Sequence, residues 1–261
     1  MDLGLKDKNV IVMASSKGIG KAIAREFCSE DANVMLFAND EELQSAQKDI
    51  FEATGNKPLF THGDITIYDD IKKVVNNTVK EFGSVDILVN NSGGPPAGMF
   101  DQFADDVWQK AFELNLLSYV RTIREVLPYM RKNGWGRIVN NTSSSVKQVL
   151  NNLILSNTFR MGVLGMVKTL SHQLGKEGIL INVVGPGKIG TARVDHLDGL
   201  AAEKQGIPLD EFRQNNFKQI PLGRYGTPEE FAKIVVFLCS GTNTYITGQT
   251  IIIDGGRSTA Y

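Results

Sequence analysis

Cysteine is scarce in this chain: Cys28 and Cys239 are the only two. Both fall on predicted helices at opposite ends of the sequence, without metal spacing. That excludes a disulfide framework and points to a reducing, cytoplasmic setting. Three histidines, His62, His172 and His196, share no ligand pattern, so no metal site is expected. No apolar run approaches the ~18 residues of a membrane helix, and Met1-Asp2-Leu3-Gly4-Leu5-Lys6 does not read as a signal peptide. Charge of either sign is not in surplus: the net charge is −1. That balance argues against nucleic acid or an anionic membrane as partner. Repeats, low-complexity tracts and Pro/Gly-rich linkers are also missing, so residues 1–261 are read as a single domain.

What is present is an alternation. Short β-branched runs lie near Asn9–Ala14, Asn33–Ala38, Pro58–His62, Val85–Asn90, Gly136–Thr142, Ile179–Val184 and Gln249–Asp254. Helical patterns lie between them near Gly18–Glu30, Glu41–Thr54, Tyr68–Phe82, Asp105–Lys132, Leu153–Lys176 and Pro228–Ser240. Strands joined by crossovers of this length pair in parallel, and strands apolar on both faces are covered by helices on both sides. The expectation is a doubly wound α/β fold with a parallel sheet of about seven strands. Residues 190–225 break the rhythm. They read as a helix-poor insertion and a substrate lid.

The stretch from Asn9 to Phe27 organises the rest. An apolar run, Val10 to Ala14, turns through Ser15-Ser16-Lys17-Gly18-Ile19-Gly20 into a helix with Ile19, Ile23 and Phe27 along one side. Strand, small-residue turn and helix N-terminus in that order aim free N–H groups and the positive helix end at one spot, where a pyrophosphate sits. Ligands of such sheets bind outside the carboxyl ends of the strands. Small or polar residues recur there: Ala38-Asn39-Asp40, Gly63-Asp64-Ile65, Asn90-Asn91-Ser92-Gly93-Gly94 and Gly185-Pro186-Gly187. Asp64 can accept from an adenine amino group, Asn91 to Gly94 let a ribose approach the backbone, and Pro186-Gly187 can turn against a nicotinamide.

These residues resemble the short-chain dehydrogenases/reductases over the whole chain, in particular the 3-oxoacyl-carrier-protein reductase-like enzymes. Ala14 to Gly20 is similar to the family's Thr-Gly-x-x-x-Gly-x-Gly turn, with alanine for its first glycine. Asn90-Asn91-Ser92-Gly93 resembles Asn-Asn-Ala-Gly, Asn115 the helix asparagine, and Pro186-Gly187 with Ile189 the later turn. The resemblance implies a Rossmann-type domain and an NAD(P)-dependent oxidoreductase acting on a small carbonyl or alcohol substrate. It makes Ala14, Ser15, Ser16, Lys17, Gly18, Ile19, Gly20, Asn39, Asp64, Ile65, Asn91, Ser92, Gly93, Arg160, Pro186, Gly187 and Ile189 the cofactor-binding set. The position of an NAD-selecting carboxylate falls on Ala38, and Lys17 resembles the basic residue that meets a 2′-phosphate. NADP is therefore expected, with NAD as the alternative; Asp40 counts against it.

The catalytic pattern breaks. Aligned on Gly136 to Ser143, the family's serine is Ser143, its tyrosine position is Ser156 and its lysine position is Arg160. No tyrosine lies between Tyr129 and Tyr225 to rescue the register. A serine hydroxyl is a far weaker acid than a phenol of pKa about 10, and an arginine cannot relay protons. Either another group is the acid, with Lys147, partly desolvated beside Arg160, as candidate, or the chain binds a dinucleotide without this chemistry, as a sensor or partner subunit. The candidate catalytic residues are thus Asn115, Ser143, Lys147, Ser156 and Arg160. The polar run Thr142 to Gln148, with Asn151, Asn152 and Asn157, suits a polar or anionic substrate group or caps the next helix. Gly94-Pro95-Pro96-Ala97-Gly98 reads as another wall of the pocket. Halohydrin dehalogenases share the arginine, but they keep a tyrosine and have lost the nucleotide loop. The two longest helices carry apolar residues on more than one face, such as Leu116, Val120, Ile123, Leu127, Met161, Leu164 and Val167; relatives pair these helices, so the resemblance implies a homodimer or homotetramer.

Overall fold

The computed structural model describes residues 2–260. Its strands are β1 (Asn9–Met13), β2 (Asn33–Ala38), β3 (Leu59–His62), β4 (Ile87–Asn90), β5 (Gly136–Asn141), β6 (Ile179–Pro186) and β7 (Thr250–Ile253). Its helices are α1 (Gly18–Ser29), α2 (Leu43–Thr54), α3 (Tyr68–Phe82), α4 (Asp105–Phe112), α5 (Ser118–Asn133), α6 (Ile154–Leu174), α7 (Ala192–Gln205), α8 (Leu209–Phe217) and α9 (Pro228–Cys239). The strands form one parallel sheet in the order β3-β2-β1-β4-β5-β6-β7. This is the expected doubly wound fold, and its winding reverses between β1 and β4.

Alternate residues of each strand feed two separate cores. Val10, Val12, Val34 and Leu36 pack with Ile23, Phe27, Ile50, Phe231 and Val235 from α1, α2 and α9. Ile11, Met13, Met35 and Phe37 pack with Val74, Ile123, Val126, Val163 and Val167 from α3, α5 and α6. Cys28 and Cys239 lie buried in the first core as free thiols, and burial pushes Cys28 up to about 12 and Cys239 higher still. Among the described residues no helix is long and apolar enough to cross a membrane.

Three expectations are corrected. Residues 105–132 are not one helix: α4 and α5 flank a π-helical segment, Glu113–Leu117. A widened turn of this kind rotates the side chains after it, and Asn115 lies inside it. Residues 190–225 are not helix-poor either. Thr191 caps α7 by accepting from the Val194 N–H, Gly206 ends it in the left-handed region, and Pro208 opens α8. A low amphipathic contrast hid both helices from the sequence pattern. Finally, β1 stops at Met13, because Ala14 adopts φ 48°, outside the strand region.

A left-handed alanine costs roughly 1 kcal/mol that glycine does not pay. Ala14→Gly is expected to raise the melting midpoint by about 2–4 °C in a calorimetric scan; an unchanged or lower midpoint would show that the turn is unstrained.

Candidate functional site

The turn after β1 is held from two sides. Ser15 is buried, with its Oγ donating to the Val12 carbonyl (2.8 Å) and accepting from the Phe37 N–H (3.0 Å), which ties the turn to β2. The Asn91 amide, at the end of β4, donates to the Ala14 carbonyl (3.1 Å). Gly20 crosses this carbonyl so closely that a Cβ would lie 2.1 Å from its oxygen. The first turn of α1 is thereby pressed against the end of β1 with its N–H groups outward, a cradle that suits a pyrophosphate. Gly18 takes φ 55° beside Thr191.

Along the neighbouring strand ends, Asp64 accepts from the Thr66 N–H (2.8 Å) and hydroxyl (2.7 Å) and from the Asn39 amide (3.2 Å). Burial raises its carboxyl, but these bonds outweigh burial and hold it below its ordinary value. Ser16 donates to Asp40 (2.9 Å). Lys17 caps nothing with its side chain; it reaches Asp40 (3.3 Å) and Glu42 (3.0 Å), and those bonds raise its ammonium. The expected phosphate contact is thus already near two carboxylates, on a side chain 60% exposed.

On the far side of the switch, a chain of buried polar groups runs through the sheet ends. Asn115 donates to Ser92 Oγ (3.0 Å) and to the Gly93 carbonyl (2.8 Å), while its own Oδ1 is buried without a partner among the described residues. Ser92 Oγ lies 3.3 Å from the Tyr119 hydroxyl, which donates to the Asn141 carbonyl (2.7 Å). Arg160 Nη1 donates to the same carbonyl (3.3 Å). Asn141 completes the circuit by donating to Asn91 (2.8 Å). Ser156 and Arg160, one turn apart on α6, are both buried. Burial pushes the Arg160 guanidinium down and the Tyr119 phenol up, and their contact works against both shifts. The Arg160 Nε has no partner among the described residues.

Ser143 sits half-buried at the end of β5, where its Oγ accepts from the Ser145 N–H (3.1 Å) and caps the short turn Ser144–Val146. It also lines a cavity of about 130 Å³ with Ser144, Gln148, Leu150, Pro186 and Gly187. Lys147 departs from expectation. It is exposed just beyond that turn, and among the groups acting on Arg160 are Tyr119 and Arg193. Asn151 and Asn152 do not cap α6 with their side chains. Instead the Gly98 N–H donates to the Asn152 carbonyl (2.8 Å), which joins the loop after β4 to the loop after β5. Ile189 is buried beneath the Pro186-Gly187 turn and pairs as an isolated bridge with Gly226.

The sequence reading missed Tyr119, Asn141 and Arg193. Tyr119 had a usable signal, since it lies four residues after Asn115 and hence on the same helical side. Arg193 had none: it reaches the Gly94 carbonyl (3.3 Å) across 99 residues.

A doubly wound parallel sheet with a glycine-rich cradle at its switch point defines a nucleotide-binding oxidoreductase-like fold. Residues 13–258 match the family model described as enoyl-(acyl carrier protein) reductase. The chain is 33% identical over 257 residues to 3-oxoacyl-(acyl-carrier-protein) reductase FabG of Chlamydia muridarum, covering 97% of this chain and 98% of that protein. The same enzyme of Thermotoga maritima is 34% identical over 255 residues, with 97% and 98% covered. L-sorbose reductase from Gluconobacter frateurii, solved with NADPH and L-sorbose, superposes with TM-score 0.95 at 32% identity over 100% of both chains. Actinorhodin polyketide ketoreductase, solved with NADPH, superposes with TM-score 0.92 at 30% identity over 98% and 99%. The chain belongs to the short-chain dehydrogenase/reductase family.

The circuit around the Asn141 carbonyl makes a concrete claim about Tyr119. Tyr119→Phe removes a fully buried hydroxyl that serves Ser92 and Asn141 together, so a loss of about 1–2 kcal/mol is expected in a urea melt. A midpoint identical to that of the parent chain would show the hydroxyl to be idle.

Proposed function

We propose that the chain is an NADP-dependent oxidoreductase that interconverts a carbonyl and an alcohol through an altered catalytic set. The observation that carries this reading is the cradle at Ala14–Gly20, intact down to the Gly20 contact, on a sheet whose next strand ends bring Asn115, Ser143 and Arg160 to the same edge. Ser15 to Gly20 would hold the pyrophosphate, Asn39, Asp64 and Ile65 the adenine side, Asn91 to Gly93 a ribose, and Pro186, Gly187 and Ile189 the nicotinamide. The NADPH-bound relatives at 32% and 30% identity support the cofactor class. Exposed ion pairs like those of Lys17 are worth under about 1 kcal/mol. Lys17 can therefore exchange Glu42 and Asp40 for a 2′-phosphate, and NAD is the weaker ligand.

When bound, the nicotinamide supplies or takes the hydride at the substrate carbon. Ser143 holds the carbonyl oxygen by hydrogen bonding. Arg160, fixed by the Asn141 carbonyl, contributes a permanent positive charge that favours negative charge on that oxygen. Ser156, one turn earlier, supplies a hydroxyl but not an acid of a phenol's strength. The proton comes from solvent, which reaches the half-buried Ser143 side, and Lys147 is the solvated ammonium nearest in sequence. The helices of residues 190–225 cover the cleft as a lid. Exposed Met161, with Trp108 and Phe159 in edge contact nearby, supports pairing of copies through α4 and α6, whereas Ile123, Leu127 and Val167 are committed to the chain's own core.

Fluorescence titration with NADPH and with NADH tests the cofactor reading. Lys17→Ala is expected to weaken NADPH by roughly 10-fold and to leave NADH within about 2-fold. Equal losses for both nucleotides would remove the 2′-phosphate role. Tight nucleotide binding with no turnover of any carbonyl or alcohol would place the chain among non-catalytic dinucleotide sensors instead.

A further inference from the structure

Three arginines away from the cleft are matched with carboxylates: Arg131 with Glu177, Arg213 with Asp195 and Arg224 with Glu230. The cleft is different. Its cavity, walled by Ser143, Gln148 and Leu150 on one side, is closed by Lys188, Arg257 and Ser258 on the other. No carboxylate lines it among the described residues. Lys188 is already neutralised, since its Nζ lies 2.6 Å from the Asp198 carboxylate, whose other oxygen accepts from the Tyr225 hydroxyl (2.7 Å). That carboxylate is 1% exposed, so the charge of Lys188 is balanced from beneath while its side chain still lines the cavity.

Arg257 is not neutralised. Its guanidinium donates to the neutral Gln219 Oε1 (2.9 Å), and no ion pair reaches it among the described residues. The turn that presents it is rigid: Asp254 accepts from the Gly256 N–H (2.9 Å) and the Ser258 N–H (2.8 Å) rather than from the Arg257 side chain. The tail stays across the cavity mouth, where the Thr259 N–H donates to Gln148 (3.3 Å). Deeper in the cleft, Arg160 likewise meets only neutral oxygen atoms. A guanidinium served by neutral acceptors keeps its fork available for a planar anion.

Resting on the reductase reading above, we infer that the substrate is a small oxo acid or its hydroxy acid, whose carboxylate is held by Arg257 while its carbonyl faces Ser143; Ser258 is already bonded to Asp254. The cavity volume of about 130 Å³, with aliphatic lining from Leu150 and Pro186 only, suits a short acid rather than an extended acyl chain.

Acetoacetate and methyl acetoacetate share a skeleton and differ in the charge. Isothermal titration of the whole chain, with and without NADP+, reads their binding without turnover. Acetoacetate is expected to bind about 10- to 100-fold more tightly than the ester, and the advantage shrinks as salt rises. Arg257→Gln brings the two ligands within about threefold, and Arg257→Lys restores part of the difference. Equal affinities in the parent chain, no binding of either probe, or a ratio that Arg257→Gln leaves intact overturns the proposal. The parent-chain ratio and its salt dependence decide the matter even if the variant does not fold. NADPH oxidation measured alongside separates the two readings. Acid-selective binding without oxidation removes the reductase and keeps the carboxylate site. Oxidation that proceeds equally with acid and ester keeps the reductase and removes the carboxylate site.

Discussion

One hydrogen bond fixes the geometry on which the cleft depends: the Asn91 amide donates to the Ala14 carbonyl. It joins the end of β4 to the turn after β1, across the place where the sheet reverses its winding. The same carbonyl leaves no room for a side chain at Gly20. Two demands therefore meet on one oxygen. The carbonyl needs a donor because it is withdrawn from water, and the helix needs a residue without Cβ because it must cross that oxygen. When both are met, the first turn of α1 presents its free N–H groups to the crevice.

Asn91 is itself held, because its Oδ1 accepts from Asn141. The anchoring thus passes from the nucleotide turn to β5 and from there to Arg160 and Tyr119, which share the Asn141 carbonyl. Nearby, Thr122 donates to Asn90, and Asn90 donates to Asn140. These amides do for the strand ends what water does at an open edge. A buried guanidinium without a carboxylate beside it is costly unless a ligand supplies negative charge. That cost applies to the buried Arg160, while the partly exposed Arg257 adds an unpaired positive charge at the cavity wall.

The fold was legible because it rests on periodicity. Val10 to Met13 and Val34 to Phe37 are apolar on both faces, which only a sheet covered on both sides can accommodate, and each helix between them is long enough for a parallel crossover. The turn from β1 into α1 was legible because it is local: strand, Gly18, Gly20 and helix follow one another in the chain. Less legible was the insertion at 190–225, where α7 and α8 lack a strong apolar stripe and the capping residues Thr191 and Gly206 carried the information instead. The interruption at Glu113–Leu117 was invisible, since one extra residue in a helical turn leaves composition and spacing almost unchanged.

By itself the sequence determined the parallel sheet, the strand–turn–helix order through Ala14–Gly20 and the absence of any tyrosine between Tyr129 and Tyr225. Those are matters of residue type and short spacing, which the linear chain contains in full. Only the tertiary structure decided what surrounds each charge. Lys17 lies against Asp40 and Glu42, Lys147 lies in solvent, Lys188 is spent on Asp198, and Arg257 faces the cavity across from Ser143. The physical reason is that a charge is defined by its neighbours and its exposure, and those neighbours come from strand ends that are remote in the chain and adjacent only in the folded sheet.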